Sequence, residues 1–143
     1  MSTQAMLTYR GTVYPWHGDH VGHMNVMWYV GKFDEATWHF FHVLGITPTF
    51  LRESQRGMAA VEQHLSYMSE LHAGDIVSVH SHLVEIREKS IRFGHEMRNE
   101  ETGAIAARST IKAVHMDTRV RKSCAFPEGV LAAARALLDA PPR

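Results

Sequence analysis

The chain is nearly devoid of cysteine: Cys124 is the single one among 143 residues. An intrachain disulfide is therefore impossible, and a zinc site built on several thiolates is excluded. No charge sign is in excess, because lysine plus arginine number 15 and aspartate plus glutamate number 15. Without a net field, nothing favours nucleic acid as a partner, and an anionic ligand must meet a local basic cluster. Long apolar runs are missing as well. No stretch reaches the roughly 18 apolar residues of a membrane span. The opening residues, MSTQAMLTYR, lack the apolar core of a secretion signal. A reduced, cytoplasmic setting away from membranes is the expectation. Cys124 follows a basic run, yet an inert, partly buried thiol is its expected state.

What is present is ordinary in bulk and unusual in one place. The hydrophobic fraction is 45% and the charged fraction 21%, which fits one globular domain spanning residues 1–143. Eleven histidines will make the net charge climb below about pH 6.5. Three of them fall in WHGDHVGHMN, residues 16–25, together with one aspartate.

Pattern places that stretch in front of a helix. Residues 7–14 alternate loosely as a strand, and Pro15 ends it. From Asn25 the period becomes helical, with Val26, Tyr29, Val30, Phe33, Thr37, Phe40, Phe41 and Leu44 spaced by three and four. Asn25 reads as the N-cap and Gly45 as the C′ residue of one long helix. Trp28, Trp38, His39 and His42 widen its apolar stripe, so it is expected to be wrapped on much of its circumference. Gly31 inside it costs about 1 kcal/mol relative to alanine, which the close approach of another backbone would explain.

A short helix is expected over 47–55, with Pro48 in its first turn. Four strand-like runs follow, at 57–71, 76–86, 90–99 and 104–117. The third alternates cleanly, with Ile91, Phe93, His95 and Met97 on one face. Short connections make these runs antiparallel neighbours. A last helix covers 127–139, and the prolines at 141–142 stop it. The fold class is α+β: a five-stranded antiparallel sheet with one long central helix, a short helix and a C-terminal helix.

Physical chemistry leaves three readings of the 16–25 stretch open. His17, Asp19, His20 and His23 are all capable metal ligands. Alternatively, a helix start carries free N–H groups and partial positive charge, suited to an oxyanion forming beside a carboxylate such as Asp19. Third, Asp19 merely caps a turn.

The run WHGDHVGHMNVMWYVGKFDEA, residues 16–36, resembles the signature of the 4-hydroxybenzoyl-CoA thioesterase-like group of hotdog-fold proteins. The resemblance extends to YMSELHAGD at 67–75 and to REKS at 87–90. It implies a hotdog fold, with the sheet wrapped round the long helix, and hydrolysis of a small acyl-CoA thioester. Asp19 then aligns with the family's catalytic carboxylate, as nucleophile or general base, and the Val26 backbone N–H with its oxyanion donor. His23 and Asn25 order the loop and cap the helix. Tyr29 lines the acyl pocket, and Arg87, Lys89 and Ser90 hold the nucleotide. Asp34 and Glu35 match the family's acidic residue before alanine, in a pairing role. The resemblance also implies a homodimer, or a homotetramer, with sheets joined edge to edge and the site at the subunit boundary. No cofactor or metal is implied, since coenzyme A belongs to the substrate. His17 stands where the family has an acidic residue.

Beside that resemblance, RVRKS at 119–123 is a second basic patch, with Arg121 and Lys122 as candidate CoA contacts. Glu62 and His64 share one strand face and read as a satisfied, half-buried pair. A dehydratase using His20 or His23, and a non-catalytic acyl-CoA binder, are the competing functions. Trp28, Tyr29 and Trp38 suit either core packing or a pocket for an aromatic or cationic acyl group.

Overall fold

The computed structural model describes residues 5–140. Its organising element is α1 (Val26–Val43), capped by the Asn25 side chain accepting from Met27 N, with Gly45 at φ 88° just past its end. Tyr29, Lys32, Phe33, Ala36, Thr37, Phe40 and Phe41 form its buried face. The wrapping expected on much of its circumference is only partly found. Val26 is 57% exposed and Trp38 41%, and His39 and His42 are exposed too. One sheet covers one side of a helix, so the other side is left to solvent or to another molecule.

The strands are β1 (Met6–Thr12), β2 (Arg56–Tyr67), β3 (Ile76–Ile86), β4 (Ser90–Asn99), β5 (Ile105–Asp117) and β6 (Lys122–Ser123). They form one antiparallel sheet in the order β1-β3-β4-β5-β2, with β6 pairing on β5. The two-residue β6 adds a sixth strand to the five expected, because RVRKS turns back to pair Lys122 with Asp117. β2 ends at Tyr67, short of residue 71. There Met68 N and Ser69 N both turn to Ala106 O, at 2.8 and 3.2 Å. The short helix α2 (Pro48–Ser54) is capped by Thr47, and α3 (Glu128–Asp139) packs against β3. The prolines at 141–142 lie outside the described residues. Among those residues, no helix is long and apolar enough to cross a membrane.

Two apolar clusters fill the space between helix and sheet. One joins Phe40, Phe41 and Phe93 to α3; the other joins Tyr29, Phe33, Leu71 and Met97. On β4 the expected inward set is found: Ile91, Phe93, His95 and Met97 are each at most 2% exposed. On its other face Gly94 has no side chain because the His82 ring lies over it, and a Cβ there would collide with that ring.

His95 is the polar exception in this core. Thr37 Oγ1 lies 2.8 Å from its Nε2, and Ser81 Oγ lies 2.6 Å from its Nδ1. Thr8 Oγ1 continues the chain, 2.7 Å from Ser81 Oγ. Thr37 donates its one proton to Phe33 O, so it accepts from a protonated Nε2, and Nδ1 is left to accept from Ser81. Burial, followed by the nearby His82, pushes the His95 pKa down to about 3. An unfolded chain takes up a proton near pH 6.5, whereas the native one waits until about pH 3. Stability is therefore complete above pH 6.5 and falls as the pH drops through that window, by about 1.4 kcal/mol per unit from His95 alone. Burial also depresses His80, His82 and His115, which act in the same direction. We expect the urea midpoint to drop between pH 6.5 and 5 by the equivalent of about 2 kcal/mol or more. A midpoint flat over that range would mean that His95 is charged in the native state.

Candidate active site

The loop 18–24 crosses the start of α1 as a tight, internally bonded turn. Gly18 and Met24 bridge it, Asp19 N donates to His23 O at 3.3 Å, and Gly22 N donates to Asp19 O at 3.1 Å. Gly22 supplies a φ of 99°, which a side chain would resist. Met24 N donates to Leu71 O at 2.7 Å, fastening the loop to the segment after β2.

The Asp19 carboxylate is fixed at both oxygens. Oδ1 accepts from Val21 N and Oδ2 from Asn25 Nδ2, each at 2.8 Å. Asn25 does two jobs, since its Oδ1 also accepts from Met27 N at 2.9 Å. The residue that caps the helix thus holds the carboxylate at the helix mouth. These bonds, that from Asn25 first and that from Val21 N next, keep the Asp19 pKa below the ordinary carboxylate value, so the group is charged at neutral pH. The bond to Val21 is also a turn cap, so the turn reading describes part of the same geometry.

Val26 is the first helical residue. Among the described residues nothing accepts from its N–H, one of the unsatisfied amides of a helix start. An open cleft of about 210 Å³ lies beside it, lined by His23, Met24, Tyr29, Tyr67, Ser69 and Glu70 as well as Val26. Tyr29 is 4% exposed; its OH donates to Ser69 O at 3.1 Å, and its ring meets Tyr67 edge-on at 5.2 Å. Tyr67 is the tyrosine of the YMSELHAGD segment, and Ser69 lies in the same segment; the sequence assigns neither a role in the site. A second, apolar cleft of about 160 Å³ opens further along α1, between Val30, Trp38, Phe41 and Met58.

The histidines diverge from one another. His17 Nδ1 accepts from Tyr14 N at 2.9 Å, and its ring packs 4.5 Å from that of Trp28. Burial and then the Lys32 charge lower its pKa, so it is neutral where the family signature has an acid. His23 Nε2 faces Glu70 at 3.7 Å, and His20 is exposed. Among the described residues no three His, Cys, Asp or Glu side chains come close enough to share an ion.

The candidate CoA contacts sit elsewhere. Arg87, Lys89 and Ser90 form the β3–β4 turn, where Arg87 pairs with Glu85. Arg121, with φ 58°, and Lys122 form the β5–β6 turn and are exposed. Both turns are at one end of the sheet, since Lys89 O accepts from His115 N and Lys122 pairs with Asp117. The Asp19 loop is at the other end, next to Leu71 and the start of β3. The eleven residues of β3 span about 35 Å between them. A single chain therefore does not bring these cations to Asp19. Glu62 and His64 also depart from expectation: both are exposed, and Glu62 lies 3.6 Å from Arg92. Among the described residues, edge strand β2 has no second neighbour to bury them. Glu35 and Asp34 are exposed as well, and neither makes an ion pair among the described residues. Cys124 is partly buried, with Sγ 3.5 Å from His115 Nδ1.

A curled antiparallel sheet around one long helix is the architecture of the hotdog class of protein. Within it, the chain belongs to the thioesterase-like superfamily, whose model matches residues 13–134. A betainyl-CoA thioesterase of Pseudomonas aeruginosa is 26% identical over 96% of this chain and 87% of its own length. The L-carnitine dehydrogenase/betainyl-CoA thioesterase of Agrobacterium fabrum is 26% identical over 80% of the chain. The chain spans only 23% of that longer protein. Among solved structures, a Staphylococcus aureus protein in complex with CoA superposes with a TM-score of 0.91 at 22% identity, covering 100% of this chain and 89% of that one.

Proposed function

We propose that the protein hydrolyses acyl-CoA thioesters to the free acid and CoA. The observation that carries this reading is the Asp19 carboxylate held 2.8 Å from the side chain that caps α1, beside the free Val26 amide. A thioester carbonyl seated there places its oxygen toward Val26 N–H and its carbon toward Asp19. Two routes share that geometry. In one, Asp19 attacks the carbon and expels CoA thiolate, and water then cleaves the resulting anhydride. In the other, Asp19 takes a proton from water as the water attacks, and the thiolate leaves. In both, the negative charge on the carbonyl oxygen meets the amide, and the thiolate is finally protonated. The relatives' names make a betainyl group one acyl candidate.

The separation of Asp19 from the basic turns has a direct resolution. β2 is a long, open edge, and edges invite pairing with another strand. Antiparallel pairing of two β2 strands about a twofold axis sets opposite sheet ends side by side. The partner's β3–β4 and β5–β6 turns would then approach Asp19, giving the CoA phosphates Arg87, Lys89, Ser90, Arg121 and Lys122. The reading is thus a homodimer with two shared sites.

Thiol release over a panel of short, branched, aromatic and trimethylammonio acyl-CoA esters tests the proposal. Steady release from at least one ester is the expected result. Hydration of enoyl-CoA instead would favour a dehydratase, and tight ester binding without turnover would favour a binding protein. Sedimentation of the same sample is expected to give a multiple of 16.2 kDa. An active monomer would rule out the shared site.

A further inference from the structure

A third cleft, of about 630 Å³, lies between β1 and the flank of α1 facing away from Tyr29 and Val30. The thioester chemistry above uses none of it, yet three oddities meet there. Lys32 is 4% exposed and, among the described residues, has no carboxylate within ion-pair distance, although the Glu35 charge reaches it from further off. Its Nζ reaches only Tyr9 OH at 3.2 Å and Thr12 O at 3.4 Å, so one of its three N–H donors has no partner among the described residues. Second, Trp16 is 64% exposed and stacks on Tyr14 at 4.6 Å on the cleft wall. Third, Gly31 weakens the helix without a packing reason. Among the described residues no other backbone approaches it, and a Cβ there would meet only Trp28 Cε3 at 3.8 Å. Its bare Cα opens onto the cleft.

The chemistry of the walls restricts the occupant. Tyr14, Trp16 and Trp28 offer aromatic faces, which attract organic cations. Glu35 adds a carboxylate at the same wall, one helical turn from Lys32. Lys32 offers a buried donor to an anion. His17 is neutral, so the lining carries one charge of each sign. Lys32 and Glu35 feel each other's charge across this lining, so a lone cation or a lone anion would meet a like charge as well as an opposite one. We propose that this cleft is a binding site for a small zwitterion, with its ammonium among Tyr14, Trp16, Trp28 and Glu35 and its carboxylate on Lys32.

Calorimetric titration of the purified full chain with trimethylglycine and with glycine tests this. The first carries a quaternary ammonium and the second a primary one, so the pair reports which the aromatic walls prefer. Tetramethylammonium and acetate supply each charge alone. At least one zwitterion is expected to bind saturably, with each fragment roughly tenfold weaker or undetectable. Trp16→Ala and Glu35→Gln are each expected to weaken it roughly tenfold. Gly31→Leu, which favours the helix, is expected to fill the cleft and abolish binding, with circular dichroism unchanged. Absence of saturable heat with both zwitterions overturns the proposal. So does binding that survives Gly31→Leu, or fragments that bind as well as the whole. These readouts do not depend on thioester turnover, so they fail or succeed separately from it.

Discussion

Asp19→Asn is expected to lower kcat for acyl-CoA hydrolysis by about 10²–10⁴-fold while the protein stays folded. The substitution removes the negative charge that either attacks the carbonyl or draws the proton from water. It disturbs little else. The loop keeps its backbone bonds, including Met24 N to Leu71 O at 2.7 Å, and Asn25 still caps α1 through Met27 N. One side-chain bond is lost, because an amide has a single acceptor oxygen whereas Asp19 accepts at both. The pH profile offers a second readout. The bonds from Asn25 and Val21 hold the carboxyl below its usual pKa, so the wild-type rate is expected to stay level as the pH falls toward the ordinary carboxylate range and to drop only beneath it. Turnover in Asp19→Asn within twofold of wild type would remove the carboxylate from the mechanism.

Val26→Pro should be nearly as damaging, for a different reason. Proline deletes the amide hydrogen and little more. Val26 is the first residue of α1, the one helical position that proline favours. Asn25 already has φ −69° and ψ 147°, the extended conformation required before proline. The valine side chain is 57% exposed, so the core hardly notices its loss. Removing one oxyanion donor costs about 10²–10³ in kcat. We therefore expect a loss of that size with the thermal midpoint within a few degrees of wild type. A full rate in Val26→Pro would assign the oxyanion to another donor.

The features that were legible in the sequence depend on near neighbours. Asn25 announced the helix start because a cap acts within three residues. The face of β4 could be read because its side chains alternate strictly over Ile91, Phe93, His95 and Met97. Thr37 fell on the buried stripe of α1 by spacing, but its task did not. Its partner is His95, 58 positions away, and only the docking of helix on sheet brings them together. The same holds for Thr8 and Ser81, 73 positions apart. β6 is not legible because two residues carry no period. The open flank of α1 is not legible because Trp38, His39 and His42 are amphipathic, and spacing does not say which end of such a side chain meets water. Arg87 and Asp19 each stood out by local chemistry, while the length of β3 that separates them is a property of the sheet.

The hydroxyl–imidazole chain of the core also fixes alignment. A slip of β4 by one residue would put Gly94 or Glu96 where His95 now stands, against Thr37 and Ser81. Glycine would strand two hydroxyls in a dry space, and glutamate would bring a charge that nothing there can neutralise. Apolar neighbours such as Phe93 and Met97 would forgive such a shift more readily. The buried imidazole therefore acts as a key cut for one lock, and it selects the single register in which helix and sheet can close together.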